Sequence, residues 1–326
     1  MLDDLPRVHL GYFPTPIDEL SRLSEALDGP RIWVKRDDLT GLATGGNKTR
    51  KLEYLIADAL QQGATTVITA GAAQSNHARQ TAAAAAKYGL SCILVLRPMA
   101  PPTITGNLLI DDLVGARIRW SGDRPTHEVM EEVAAEERAA GRKPYVIPIG
   151  GSNPVGAGAY VAAMRELTVQ MMERELRLDH IVVASGSGGT QAGMIVGARA
   201  NNFAGRILGI SVSSDASNLR QVIGDLAQRT AGYLGLRFAI DTDAVQVNDG
   251  YLGRGYGILG DAEREAIQLV ARKEGLLLDP VYTGRAMAGL IDLIGRGEFT
   301  REENVLFWHT GGTPALFAHA QGLLQR

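Results

Sequence analysis

The sequence predicts an α/β protein built from two open, twisted, mostly parallel sheets flanked by helices. Three observations predict it. Strand-length apolar runs alternate with helix-period segments along nearly the whole chain, the pattern of parallel βαβ units with helices on both faces. A Gly/Ser/Pro-rich break, Gly150-Gly151-Ser152-Asn153-Pro154, splits that alternation into two sets. Glycine-rich turns follow several apolar strands, at the strand ends where α/β sheets carry their sites. Two αβ halves with reactive groups in the crevice between them is the economical arrangement.

Taken in order, residues 11–16 (GYFPTP) carry two prolines and form an extended lead-in to a short helix pattern over 17–27. Residues 31–35 (RIWVK) read as a strand, and 36–40 lead toward a helix opening at GGNKTRKLE. Strand 65–70, helix 74–87, strand 92–96, a helix near 107–114, strand 116–120, helix 127–140 and strand 145–149 complete the first set. The break then opens a long helix to about residue 176. Strand 181–184, loop 185–190, a helix from 191, strand 206–212, a helix near 219–234, helix 261–274 and strand 304–309 form the second set. No short-period repeat or low-complexity tract interrupts them.

Composition narrows the function classes. A chain of 326 residues forms one large or two modest domains, and 45% apolar with 21% charged residues is ordinary for a globular protein. A net charge of -3 gives no electrostatic case for nucleic-acid or membrane partners. No apolar run approaches bilayer length, and the N-terminus lacks the charged-then-apolar signal pattern. The single cysteine, Cys92, lies in the apolar run SCILVL and reads as a buried strand residue, so a cytoplasmic location is expected.

The central stretch is Gly45-Gly46-Asn47-Lys48-Thr49-Arg50-Lys51-Leu52-Glu53. Asn47 is a preferred N-cap residue, and Leu52, Leu55, Ile56, Ala59 and Leu60 fall at helical spacing. Lys48 therefore occupies the first helical turn, where a cation faces the positive end of the dipole. Arg50 and Lys51 add charge that should lower its proton affinity further, toward the neutral amine that condenses with carbonyls. Lys51, three residues on, can meet an anion at the helix start. A merely solvated basic turn is the alternative.

Ser185-Gly186-Ser187-Gly188-Gly189-Thr190 follows an apolar strand and precedes a helix, so its backbone N–H groups and the Ser187 and Thr190 hydroxyls can cradle a phosphate. A dinucleotide-binding loop would want an acidic residue ending the next strand, and Asp215 comes only after Ser211-Val212-Ser213-Ser214. Gln74-Ser75-Asn76-His77 opens a helix after strand 65–70. Ser75 is there either as a cap or to bind a carboxylate with the free N–H groups. Tyr256 and Tyr282 sit in turn-rich stretches and are candidate site walls. His77 and His309 read as structural, and no histidine or cysteine pair has metal-ligand spacing.

GGNKTRKLEYL resembles the lysine motif of the ACC deaminase and D-cysteine desulfhydrase family, pyridoxal-phosphate enzymes of the tryptophan-synthase-β fold type. The resemblance continues through ITAGAAQSNHARQTAA, VVASGSGGT, DPVYTGRAMAGLID and HTGGTP and spans nearly the whole chain. It implies a smaller domain, 45–155, inserted in a larger cofactor-binding domain, 1–44 and 156–326. It implies pyridoxal 5'-phosphate on Lys48, near Asn47 and Lys51. Gly186, Ser187, Gly188, Gly189 and Thr190 would hold the phosphate, Asn76 the ring hydroxyl, and Thr283, Thr310 and Gly311 the ring. Gln74, Ser75, Asn76, Tyr256 and Tyr282 would contact the substrate. Lys48, Ser75 and the two tyrosines would be catalytic, either tyrosine being able to protonate the leaving group.

The implied activity is β-elimination from a three-carbon amino acid, D-cysteine giving pyruvate, hydrogen sulfide and ammonia, in a homodimer. L-cysteate sulfo-lyase is the near alternative, since DDLTGLAT and GSNP resemble that branch; Arg254, in the turn Gly253–Gly257, is either solvated at the rim or, facing the substrate, suited to a sulfonate. ACC deaminase fits less well: where Thr283 stands, the resemblance implies a glutamate in that enzyme. A nucleotide-binding oxidoreductase and a non-catalytic binder of phosphate ligands are the readings from other classes.

Overall fold

A computed structural model describes residues 5–324. The first set of elements is β1 (Ile17–Glu19), α1 (Ser21–Leu27), β2 (Arg31–Arg36), α2 (Lys48–Gln61), β3 (Thr66–Ala72), α3 (Asn76–Lys87), β4 (Ser91–Arg97), α4 (Asn107–Leu113), β5 (Arg117–Trp120), α5 (Thr126–Ala139) and β6 (Pro144–Val146). The second is α6 (Pro154–Glu173), β7 (His180–Ser185), α7 (Gly189–Ala200), β8 (Arg206–Ser211), α8 (Ala216–Tyr233), β9 (Gln246–Asn248), α9 (Asp261–Glu274), α10 (Thr283–Gly295) and β10 (Asn304–His309), followed by two short helical turns.

Among the described residues the strands form two sheets. One has six strands in the order β1-β2-β10-β7-β8-β9, and the other has four in the order β5-β4-β3-β6. Every pairing is parallel except that of β1 with β2. The four-stranded sheet is drawn wholly from chain lying between β2 and β7.

Alternation along the strands builds a core on each face, because successive side chains point to opposite sides. In the larger sheet Val34, Val182 and Phe307 pack against α9 and α10 through Val270 and Leu290. Ile181, Val183 and Trp308 face the other way, onto Tyr160 and Met164 of α6. In the smaller sheet Val67 and Leu94 meet α2 and α3 through Leu55 and Ala82, while Ile68 and Val95 meet Val129 and Val133 of α5. Cys92 is buried in β4, where its thiol is pushed up by burial.

The sequence-based elements match with four differences. Residues 17–19 are not the start of a helix but an edge strand, since the extended Pro14–Pro16 lead-in lays Ile17 antiparallel to Lys35. The strand expected at 145–149 stops at Val146, and Ile149–Gly151 makes a tight turn. Helix α10 forms where turn residues predominate, because the Asp279 carboxylate accepts from the backbone N–H groups of Val281, Tyr282 and Thr283 and so supplies its start. Strand β9, three residues long on the sheet edge, carries too little pattern to be read. No helix among the described residues is long and apolar enough to cross a membrane.

Candidate active site

The carboxyl ends of β3, β7, β8 and β10 open onto one cavity of about 540 Å³. Its wall includes Asn47, Lys48, Ser75, Asn76, Gly186, Ser187, Gly188, Thr190, Tyr256, Tyr282 and Thr310. Residues scattered over the whole sequence thus converge on one space.

Lys48 is the first residue of α2, and its Nζ donates to Asn47 Oδ1 at 2.9 Å. Burial drives its pKa down to about 8; the Asp279 carboxylate partly opposes the fall, and Arg79 adds to it. The expected contribution of Arg50 is a correction: that side chain is buried away from the cavity, paired with Asp37 at 2.9 Å and Glu166 at 2.8 Å. Asn47 is likewise not a side-chain cap. Its amide nitrogen donates to Thr190 Oγ1 at 3.1 Å, so the lysine helix is tied to the 185–190 loop instead. The start of α2 is met from α3, where Gln80 Oε1 accepts from Thr49 N at 2.8 Å.

Arg79 fixes the approach to Lys48. Its guanidinium donates to Ala43 O, to Thr44 Oγ1 at 3.0 Å and to Gly45 O at 3.1 Å, while Nε reaches Asn107 Oδ1 at 2.6 Å. On the opposite side Gly311, at φ +87°, packs so closely on Gly46 that a Cβ would stand 2.7 Å from its Cα. Asn47 N donates to Thr310 O there at 3.0 Å.

The 185–190 loop turns at Gly188, φ +80°, into α7. Ser187 Oγ lies 2.8 Å from Ser152 Oγ, which accepts from Gly189 N at 3.2 Å. A Cβ on Gly189 would come within 2.5 Å of Ser152 Oγ and 2.9 Å of Lys51 Nζ, so backbone N–H groups, hydroxyls and an amine crowd together. Lys51 is fully buried behind the wall, held by Gly150 O at 3.0 Å. Burial and then the Lys48 charge push its pKa well down, and a nearby anion would favour its charged form. The Ser185 hydroxyl is buried with no partner among the described residues.

Ser75 caps α3, accepting from Ala78 N at 3.1 Å, so capping and cavity exposure coincide. Asn76 Oδ1 accepts from Asn107 Nδ2 at 2.9 Å, which leaves its NH₂ for a ligand. Gln74 is spent on the segment before α4, bonding Thr105 O at 2.9 Å and Asn107 N at 2.8 Å. It borders a second cavity and not the first. Tyr256 and Tyr282 meet hydroxyl to hydroxyl at 2.6 Å. Burial raises both; hydrogen bonding to Tyr282 then pulls Tyr256 back, whereas Tyr256 pushes Tyr282 higher.

The sequence profile of the pyridoxal-phosphate-dependent enzymes matches residues 8–311. This chain belongs to that family. The D-cysteine desulfhydrase of Salmonella typhi is 45% identical over 324 residues, which covers 98% of this chain and 97% of the relative. The D-cysteine desulfhydrase of Salmonella newport strain SL254 is equally similar, 45% over the same share of both chains. The crystal structure of an ACC deaminase homologue superposes with a TM-score of 0.92 at 41% identity, over 99% of this chain and 97% of that one. The fold is accordingly that of a fold type II pyridoxal-phosphate enzyme, and the cofactor is pyridoxal 5'-phosphate.

The cavity suits this family's cofactor. A buried amine of lowered pKa faces a loop whose bare glycines, hydroxyls and helix N-terminus converge beside a second buried amine, the donor set of a phosphate. The dinucleotide alternative loses its acidic residue, since Asp215 is occupied in capping α8, accepting from Asn218 N at 2.9 Å.

Of the expected residues, Lys51, Gln74, Gly189, Thr283 and Gly311 do not border the main cavity. Thr283 is fully buried, its hydroxyl donating to Asp279 Oδ1 at 2.8 Å and accepting from Asp279 N at 2.7 Å, so the expected contact with the ring is not made from this position. Arg254 is exposed, reaches Leu259 O at 3.3 Å and does not line the cavity. His309 is satisfied by Leu277 O and Gly311 N. Sequence reasoning missed Ser152, Asp279, Ser214 and Arg97. Ser152, inside the glycine-rich break, and Asp279, the first residue of DPVYTG, stood in stretches already singled out; Arg97 merely ends a strand.

Proposed function

We propose that this enzyme eliminates the β-substituent of a three-carbon amino acid, with D-cysteine as substrate and pyruvate, hydrogen sulfide and ammonia as products. The observation that carries the reading is the Tyr256–Tyr282 hydroxyl pair, 2.6 Å apart, on the wall of the cavity that Lys48 also faces. A base and an acid thus flank one space, as proton removal at Cα and protonation at Cβ's substituent require. The D-cysteine desulfhydrases at 45% identity over nearly the full chain support the substrate.

Bound pyridoxal phosphate supplies the electron sink for breaking the Cα–H bond and expelling the β-group. In our reading Lys48 holds the cofactor and, as a neutral amine, takes the Cα proton. Lys51, Ser187, Thr190 and the N–H groups of 186–189 hold the phosphate. The Asn76 NH₂ serves the ring hydroxyl, and Thr310 serves the ring; Thr283, its hydroxyl bound to Asp279, acts only by fixing that turn. Ser75 and the start of α3 bind the substrate carboxylate. With Tyr282 donating to Tyr256, Tyr256 keeps its own hydrogen for the departing sulfur.

We assign 45–155 to a smaller domain inserted in the larger, 1–44 with 156–326, which the nesting of the four-stranded sheet supports. A cytoplasmic homodimer completes the proposal; the exposed Met99, Ile104, Leu109 and Leu113 offer apolar surface for pairing, and light scattering at twice 34.8 kDa tests it. The activity test is direct. Purified holoenzyme with D-cysteine should release pyruvate and sulfide in equal amounts, and Lys48→Ala should release neither while keeping its circular-dichroism spectrum. Absence of both products from wild type contradicts the assignment.

A further inference from the structure

Among the described residues, Lys48 and Arg97 are the lysine and arginine on the wall of the main cavity, and no aspartate or glutamate borders it. Arg97 ends β4 with its side chain exposed, and among the described residues its guanidinium has no hydrogen-bond or ion-pair partner. It also borders a second cavity of about 450 Å³, which shares Ala72, Arg97 and Tyr256 with the first and extends past Gln74 and His319. Its charge is felt at the Tyr256 hydroxyl, where it favours proton release.

The other anions of the reaction have partners. In the reading proposed above, the α7 start and Lys51 would hold the cofactor phosphate, and Ser75 with the α3 start would hold the substrate carboxylate. One unpaired guanidinium remains, beside the tyrosine assigned to the departing group. A cation so placed discriminates by charge, since a buried or partly buried anion without a counter-charge is strongly disfavoured.

We infer that Arg97 forms the subsite of the β-substituent and selects an anionic one, a thiolate or a sulfonate, over a neutral one of similar size. The inference rests on the β-elimination reading and names its substrate class. The Cβ–S bond breaks with both electrons going to sulfur, and the Cα proton goes to Lys48. A sulfonate departs as sulfite, and a thiolate departs as hydrosulfide after taking the Tyr256 proton. The three-carbon remainder takes up water to give pyruvate and ammonia. The wall shared by the two cavities lets the anion leave past the same guanidinium.

The test compares pyruvate formation from cysteate, with its permanent sulfonate, and from 3-chloroalanine, whose β-group is neutral. The same enantiomer of each is given to wild type, Arg97→Met and Arg97→Lys. Arg97→Met should lose tenfold or more in kcat/KM for cysteate and stay within about threefold for chloroalanine, and Arg97→Lys should recover most of the loss. Equal losses on both substrates, no loss on either, or a wild type that refuses cysteate while turning over chloroalanine each overturn the subsite. No pyruvate from wild type with any of these substrates or with cysteine strikes the elimination reading itself, a different signature.

Discussion

At the scale of single residues, Lys48 was legible because its neighbours were: glycines, an amide and a helix start in nine residues. The source of its low proton affinity was not. The sequence puts Arg50 and Lys51 nearby, yet side chains two apart on a helix point to different sides, and Arg50 turns into its own ion pairs. Burial does most of the work, with Asp279 and Arg79, both distant in sequence, as the charged modifiers. The sign for pH follows. The neutral amine is the reactive form, and its fraction grows as pH rises through about 8, not through the 10.5 of a free lysine. Cofactor uptake by the apoenzyme should therefore accelerate with a midpoint near pH 8, followed by stopped-flow absorbance. Asp279→Asn, which removes the opposing charge, should move that midpoint lower. The functional pairing of Tyr256 with Tyr282 was half legible, since sequence offers both residues but not the 2.6 Å contact that ranks them.

At the scale of elements, the glycine loop and the helix it opens were read correctly as a pair, but the loop's glycines have different duties. Gly188 is in the left-handed region at φ +80°, and a Cβ there would meet Ile223 of α8 at 3.0 Å. Gly188→Ala should thus cost the apo protein about 1–2 kcal/mol of fold stability. Gly189 has ordinary helical backbone, and its Cβ would press on Ser152 and Lys51, both beside the phosphate cradle. Gly189→Ala should weaken cofactor affinity at least tenfold more than Gly188→Ala does, as read by spectral titration, while thermal melts record the apo cost of each, which at 189 includes the 2.9 Å approach to Ser152 Cα. Equal losses of affinity at the two positions would make this loop a purely structural turn. Helix α10 was missed for a physical reason: its start depends on Asp279, a capping group lying outside the helix among residues of turn character.

For the whole molecule, alternation of strands and helices gave away both sheets, because parallel sheets need a helix between successive strands. The tie between them was hidden. Arg50 of α2, Asp37 after β2, Glu166 of α6 and Lys35 of β2 form a buried network, with Tyr160 at 2.6 Å and Trp308 at 2.8 Å from Asp37. Burial alone would raise the Asp37 carboxyl, and the Arg50 charge and hydrogen bonds override it, holding it below the usual range. A carboxylate held low adds stability above its unfolded pKa and loses it as pH falls through the lowered value. Arg50→Met strands that carboxylate and should cost about 3–5 kcal/mol in urea unfolding. It should also move acid unfolding to higher pH, because Asp37 then protonates more readily.

The most direct measurement is the site of cofactor attachment. Borohydride reduction of the holoenzyme, followed by proteolysis and mass spectrometry, should place the pyridoxyl group on the peptide containing Lys48 and on that residue within it. A pyridoxyl group on Lys51 or Lys35, or none on any lysine of a cofactor-loaded sample, would contradict the assignment on which every role given to this cavity depends.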